Sequence, residues 1–100
     1  MKEWQHIEEM EAILKEHQEK VGELQELLTF LQRQQPEYQQ LLAYYGSEKW
    51  YEDLAEDEAG NLPDSLARGV LSEDEIYNLI GDYHEVSVQM LQLVTDLLTH

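Results

Sequence analysis

The sequence predicts an all-α fold, a helical bundle in which two long antiparallel helices at about residues 3–34 and 73–99 are joined by two short ones at about 36–45 and 48–58. Three observations carry this. Apolar residues recur at alternating steps of three and four near both ends of the chain, the spacing that lines one face of a helix. Glu, Gln and Leu, all good helix formers, dominate the composition. The middle of the chain holds the helix punctuation, Pro36, Gly46, Ser47, Gly60 and Ser72.

In the first helix, Ile7, Met10, Leu14, His17, Val21, Leu24, Leu28 and Leu31 fill the a and d positions of successive heptads, as in a coiled coil, and Ile13 and Leu27 widen the stripe. The opposite face carries Glu8, Glu9, Glu16, Glu19, Glu23 and Glu26. Pro36 either ends this helix and begins a new one or only kinks it, because proline disfavours a helical residue before it yet suits a first helical turn. A short helix with Tyr38, Leu41, Leu42 and Tyr45 on one face stops at Gly46. Ser47 caps the next, through Trp50, Tyr51 and Leu54, which fades in the acidic run after Glu56. Residues 60–69 read as loop, with a turn at Pro63 to Arg68. In Leu71-Ser72-Glu73-Asp74-Glu75-Ile76, Ser72 and Glu75 have the spacing of a reciprocal capping box, with Leu71 and Ile76 as its hydrophobic staple. The last helix has a seam of Ile76, Leu79, Tyr83, Val86, Met90, Leu93 and Leu97, broadened by Tyr77, Ile80, Leu91, Val94 and Leu98. That stripe needs cover from the short helices or from a second subunit.

One hundred residues suit a single domain, 1–100, with one modest core. The chain has no cysteine, which excludes disulfides, thiolate metal sites and cysteine nucleophiles. No apolar run approaches the roughly 18 residues of a membrane span, so no membrane partner is expected and the cytoplasm is the expected address. The net charge is −16; residues 51–100 hold twelve acids and a single base, Arg68. No nucleic-acid ligand is expected, since phosphate binding needs Lys and Arg clusters. A basic partner protein would be attracted, although high charge also serves plain solubility.

Tyr44-Tyr45-Gly46-Ser47-Glu48-Lys49-Trp50 and Gly69-Val70-Leu71-Ser72-Glu73-Asp74-Glu75-Ile76-Tyr77 resemble two segments, in the same order, of a bacterial family known only as domain of unknown function 4298. The resemblance covers essentially the whole chain. It implies a bacterial origin and a compact single domain, and it brings no catalytic residues.

Chemistry-bearing constellations are sparse. Tyr44, Tyr45, Trp50 and Tyr51 crowd into eight residues beside Asp53; such a cluster makes either a packed helix corner or a groove for a peptide or a cation. His17 is a lone histidine on an apolar face, which suits a hydrogen-bonded or register-fixing residue better than a ligand or a base. Di-iron bundles need paired Glu-x-x-His motifs, and only Glu3-Trp4-Gln5-His6 matches. The acid-rich stretch Asp53 to Asp64 lacks the spacing of a calcium loop. No serine sits in a nucleophile elbow, and no cofactor is expected. The expected function is a non-enzymatic protein–protein interaction module of a bacterial cytosol. Its candidate partner-binding residues are Tyr44, Trp50, Tyr51, Asp53, Leu91 and Leu98, and a homodimer can form through Tyr77, His84, Leu91 and Leu98. An acidic charge mimic that inhibits a basic nucleic-acid-binding protein comes second, and a small metal-dependent helical-bundle enzyme third.

Overall fold

The computed structural model describes residues 3–99; Met1, Lys2 and His100, included in the single domain read from the sequence, lie outside the described residues. Among the described residues the elements are α1 (Gln5–Arg33), α2 (Gln35–Tyr44), α3 (Glu48–Glu58), a 3₁₀ turn (Gly69–Leu71) and α4 (Glu73–Leu98), with no strand. The all-helical class is as the sequence predicts. None of these helices is long and apolar enough to cross a membrane. The chain divides into two compact units, Met1–Leu41 and Leu42–His100.

The first unit is built on α1. Glu8 in the first turn and Arg33 in the last oppose the helix dipole with the favourable signs, and an exposed Lys20–Glu23 pair at 3.3 Å adds little. Pro36 interrupts the backbone ladder at one residue. The amide of Gln34 still donates to Phe30 O and the amide of Tyr38 to Gln34 O, both at 2.9 Å, so helix resumes at once in α2. Within this unit the stripe is bare. Ile7, Met10, Leu14, Val21 and Leu24 are all exposed, because the unit contains no second long helix to lie on them. His17 is exposed along with its stripe.

In the second unit the punctuation works largely as expected. Gly46 takes the left-handed conformation, φ 79°, that ends α2. Ser47 then caps α3: its hydroxyl accepts from the Trp50 amide at 3.2 Å and donates to Tyr44 O at 2.6 Å. At the other end Gly60, φ 76°, closes α3 with the paired bonds Gly60 N to Asp57 O and Asn61 N to Glu56 O, both 3.0 Å, a Schellman motif. The turn in the following loop is fixed by Leu66 N donating to Pro63 O at 3.0 Å.

The capping box at Ser72 does not form. Ser72 is the N-cap of α4, but its side chain makes no capping bond. The Ser72 amide that Glu75 would have bonded donates to Gly69 O at 2.9 Å, closing the 3₁₀ turn. Glu75 instead folds back over Gly69, where any β-carbon would collide with its carboxylate. Helix initiation here rests on Glu73, Asp74 and Glu75 in the first turn, acids at the positive end of the dipole.

The core of this unit is Trp50, Leu71 and Ile76, where the 3₁₀ turn touches both α3 and α4. It covers the first turn of α4 and little more. With 11 residues α3 is about 16 Å long, whereas the 26 residues of α4 reach about 39 Å. The short helices therefore cannot cover the broad stripe. Val86, Leu91, Leu93, Val94, Leu97 and Leu98 are exposed within their own unit.

Candidate functional site

The aromatic corner grows from the helix break at Gly46. Capping by Ser47 turns α3 so that Trp50 points inward, and the residue is 4% exposed. The indole Nε1 donates to Val70 O at 2.8 Å, tying α3 to the 3₁₀ turn. Tyr45 and Tyr51 meet the indole edge to face, with centroids 5.5 Å and 5.0 Å away, a favoured aromatic geometry. Trp50 is thus core and presents no surface to a partner. Tyr51 keeps one face outward, 60% exposed.

Tyr44 and Asp53 form the polar side of the corner. The Tyr44 hydroxyl donates to Asp53 Oδ2 at 2.6 Å, and Lys49 Nζ lies 3.2 Å from Asp53 Oδ1. The hydrogen bond to Asp53 is the main reason the Tyr44 phenol is pushed up to about 12, with desolvation and the carboxylate charge adding to it. The same bond, with help from Lys49, holds Asp53 below the ordinary carboxylate value against an opposing desolvation. Near neutrality the phenol keeps its proton and the carboxylate its charge, so this pair has no proton to exchange. Both Asp53 oxygens are engaged, and the cation beside the carboxylate is the chain's own Lys49.

A shallow cleft of about 290 Å³ opens beside this pair, lined by Tyr44, Asp53, Leu62, Leu66, Arg68 and Leu71, among others. Arg68 organises its rim: it pairs with Asp57 and donates through Nη2 to Pro63 O at 2.7 Å. Sequence reasoning gave Arg68 no role, although its being the single base among twelve acids in residues 51–100 was a usable signal. Among the described residues no group of three or more His, Asp or Glu side chains is placed to hold a metal ion.

Leu91 and Leu98 are elsewhere. They lie one heptad apart on α4, 67% and 80% exposed, about 22 Å and about 33 Å along the axis from the buried Ile76. The candidate residues therefore fall into two groups, a corner and a helix face. At about 100° per residue, the apolar side chains of α4 spread over about 220° of its circumference, about twice the stripe of a helix with one neighbour. The arc has two halves. One holds the seam Leu79, Tyr83, Val86, Met90, Leu93 and Leu97; the other holds Tyr77, Ile80, His84, Ser87, Leu91 and Leu98. Beyond the first turn, the acids Asp82, Glu85 and Asp96 all sit on the remaining side, and α4 carries no Lys or Arg.

No curated protein and no solved structure matches the chain. A family described as Domain of unknown function (DUF4298) matches residues 7–93. That span takes in the α1 stripe, the whole aromatic corner and most of α4, and the chain belongs to this family of domain of unknown function.

Proposed function

We propose that the chain is a non-enzymatic protein–protein interaction module whose working surface is the apolar face of α4. One observation carries this: α4 is apolar around most of its circumference, yet its own unit buries only the first turn. Contiguous exposed apolar surface marks interaction sites. Long amphipathic helices also draw most of their stability from packing rather than from propensity. The corner around Trp50 acts as the anchor that fixes where α4 begins, with Tyr51 its outward-facing ring. In this proposal the seam half of the arc receives α1 of the same chain, antiparallel, and joins residues 1–100 into one bundle. The half bearing Tyr77, His84, Leu91 and Leu98 then faces outward.

A second reading, an acidic mimic that occupies a basic nucleic-acid-binding protein, is supported by the net −11 carried by residues 51–100. Salt separates the two. Full-length protein on a resin is offered lysate of the producing organism at about 0.1 M and about 1 M salt, where the Debye length falls from about 10 Å to about 3 Å. The module should keep its bound protein at high salt and lose it on Leu91→Glu. Loss at high salt with no effect of Leu91→Glu favours the mimic, and no bound protein at either salt refutes both.

A further inference from the structure

We infer that the outward half of the α4 arc is covered by the same face of a second copy of this chain, packed antiparallel about a two-fold axis beside Ser87. This rests on the module proposed above and names its partner. Width comes first. Each half of the arc spans about 100°, which is what one neighbouring helix covers, so a single α1 leaves a whole face unfilled.

Charge selects the occupant. The chain carries −16, and a basic partner would be drawn to its carboxylates. Between Tyr77 and Leu98 the outward face has no Asp, Glu, Lys or Arg, because Asp82, Glu85 and Asp96 all lie on the far side. A basic protein finds nothing to pair with there, whereas a second acidic copy meets no like charge. The aliphatic hydroxyls on and beside this face, Ser87 and Thr95, are already satisfied. Ser87 Oγ donates to Tyr83 O at 2.7 Å and Thr95 Oγ1 to Leu91 O at 2.9 Å, so covering them strands no donor.

The acidic first turn selects the direction. Parallel packing would set Glu73, Asp74 and Glu75 against the same three acids, a direct repulsion. In the antiparallel register centred beside Ser87, the seven-residue spacing sets Tyr77 opposite Leu98 of the second copy and His84 opposite its Leu91. Each acidic turn then extends past the end of the other α4. Ser87, the smallest side chain on the face, falls at the centre, where the axes come closest.

The test uses the full chain. Sedimentation equilibrium from micromolar to millimolar should show a dimer. The Leu91→Glu, Leu98→Glu double variant, altered at two exposed positions and checked for retained helicity by circular dichroism, should weaken the dimer at least about a hundredfold by burying carboxylates in an apolar contact. Because the chain has no cysteine, Tyr77→Cys and Leu98→Cys give single reactive thiols. A short bismaleimide should link the two variants when mixed, and should not link Tyr77→Cys to itself. A Tyr77→Cys self-link, or a dimer unmoved by the double variant, overturns the inference. A wild-type monomer also overturns it. If that monomer binds an apolar fluorescent dye in a Leu91-dependent way, the interaction surface stands with a different partner; if it binds none, the module proposal falls as well.

Discussion

Replacing Trp50 tests the corner that anchors α4. Trp50 is 4% exposed, ties α3 to the 3₁₀ turn through the bond to Val70 O, and makes edge contacts with Tyr45 and Tyr51. Large-to-small changes at such sites cost about 3–5 kcal/mol for Trp→Ala. A unit of about sixty residues has roughly 3–9 kcal/mol of stability in all, so Trp50→Ala should remove about a third or more of it. Trp50→Phe keeps a ring but strands the Val70 carbonyl, a loss of about 1–3 kcal/mol. At about 4–8 °C per kcal/mol for a domain of this size, melting should fall by roughly 4–24 °C. The assay is thermal denaturation followed by near-UV circular dichroism of the tyrosines. If Trp50→Ala melts within about 0.5 kcal/mol of wild type, the level of an ordinary surface change, the indole is not the keystone of this unit.

The Tyr44–Asp53 bond predicts an absorbance titration in which one of the six tyrosines ionises near about 12, and Asp53→Asn should return it toward about 10. Since the folded phenol is raised, its stabilisation is complete below the unfolded value of about 10 and is lost as pH rises through about 12; Asp53, which is lowered, loses its share as pH falls below the ordinary carboxylate range. A titration with every phenol at the ordinary position would rule the bond out. Arg68→Met, which removes the Asp57 pair and the bond to Pro63 O, should cost about 1–2 kcal/mol. It should speed thermolysin cleavage within residues 60–68 several-fold; an unchanged cleavage rate would show that Arg68 does not hold this loop.

Much of the local structure was legible because its causes are local. The heptads of residues 7–31 and the seam of residues 76–97 place two long helices, and Gly46 followed by Ser47 marks a stop and a start whose geometry follows from the residues themselves. Where a local signal failed, a competing bond won. Ser72 and Glu75 have the spacing of a capping box, but the amide they needed is held by Gly69 O in the 3₁₀ turn. The role of Trp50 as core could not be read from its crowd of aromatic neighbours. Burial is decided by the 3₁₀ turn at Gly69–Leu71, which reaches α3 only once the loop has turned. Arg68 escaped notice for the same reason, since its partners Asp57 and Pro63 come together through the fold of residues 59–68. Periodicity shows which face of α4 is apolar. It carries no information on what lies against that face, so the pairing of the long helices stands as a proposal.

Amide hydrogen exchange along Ile76–Leu98, followed by mass spectrometry as protein concentration is raised from micromolar to millimolar, probes that face most directly. Exchange should slow progressively over the segment containing Leu91 and Leu98, while the amides around Trp50 remain protected throughout. Exchange over that segment that is equally fast at every concentration would contradict a second copy of this chain as the cover of the outward half of α4.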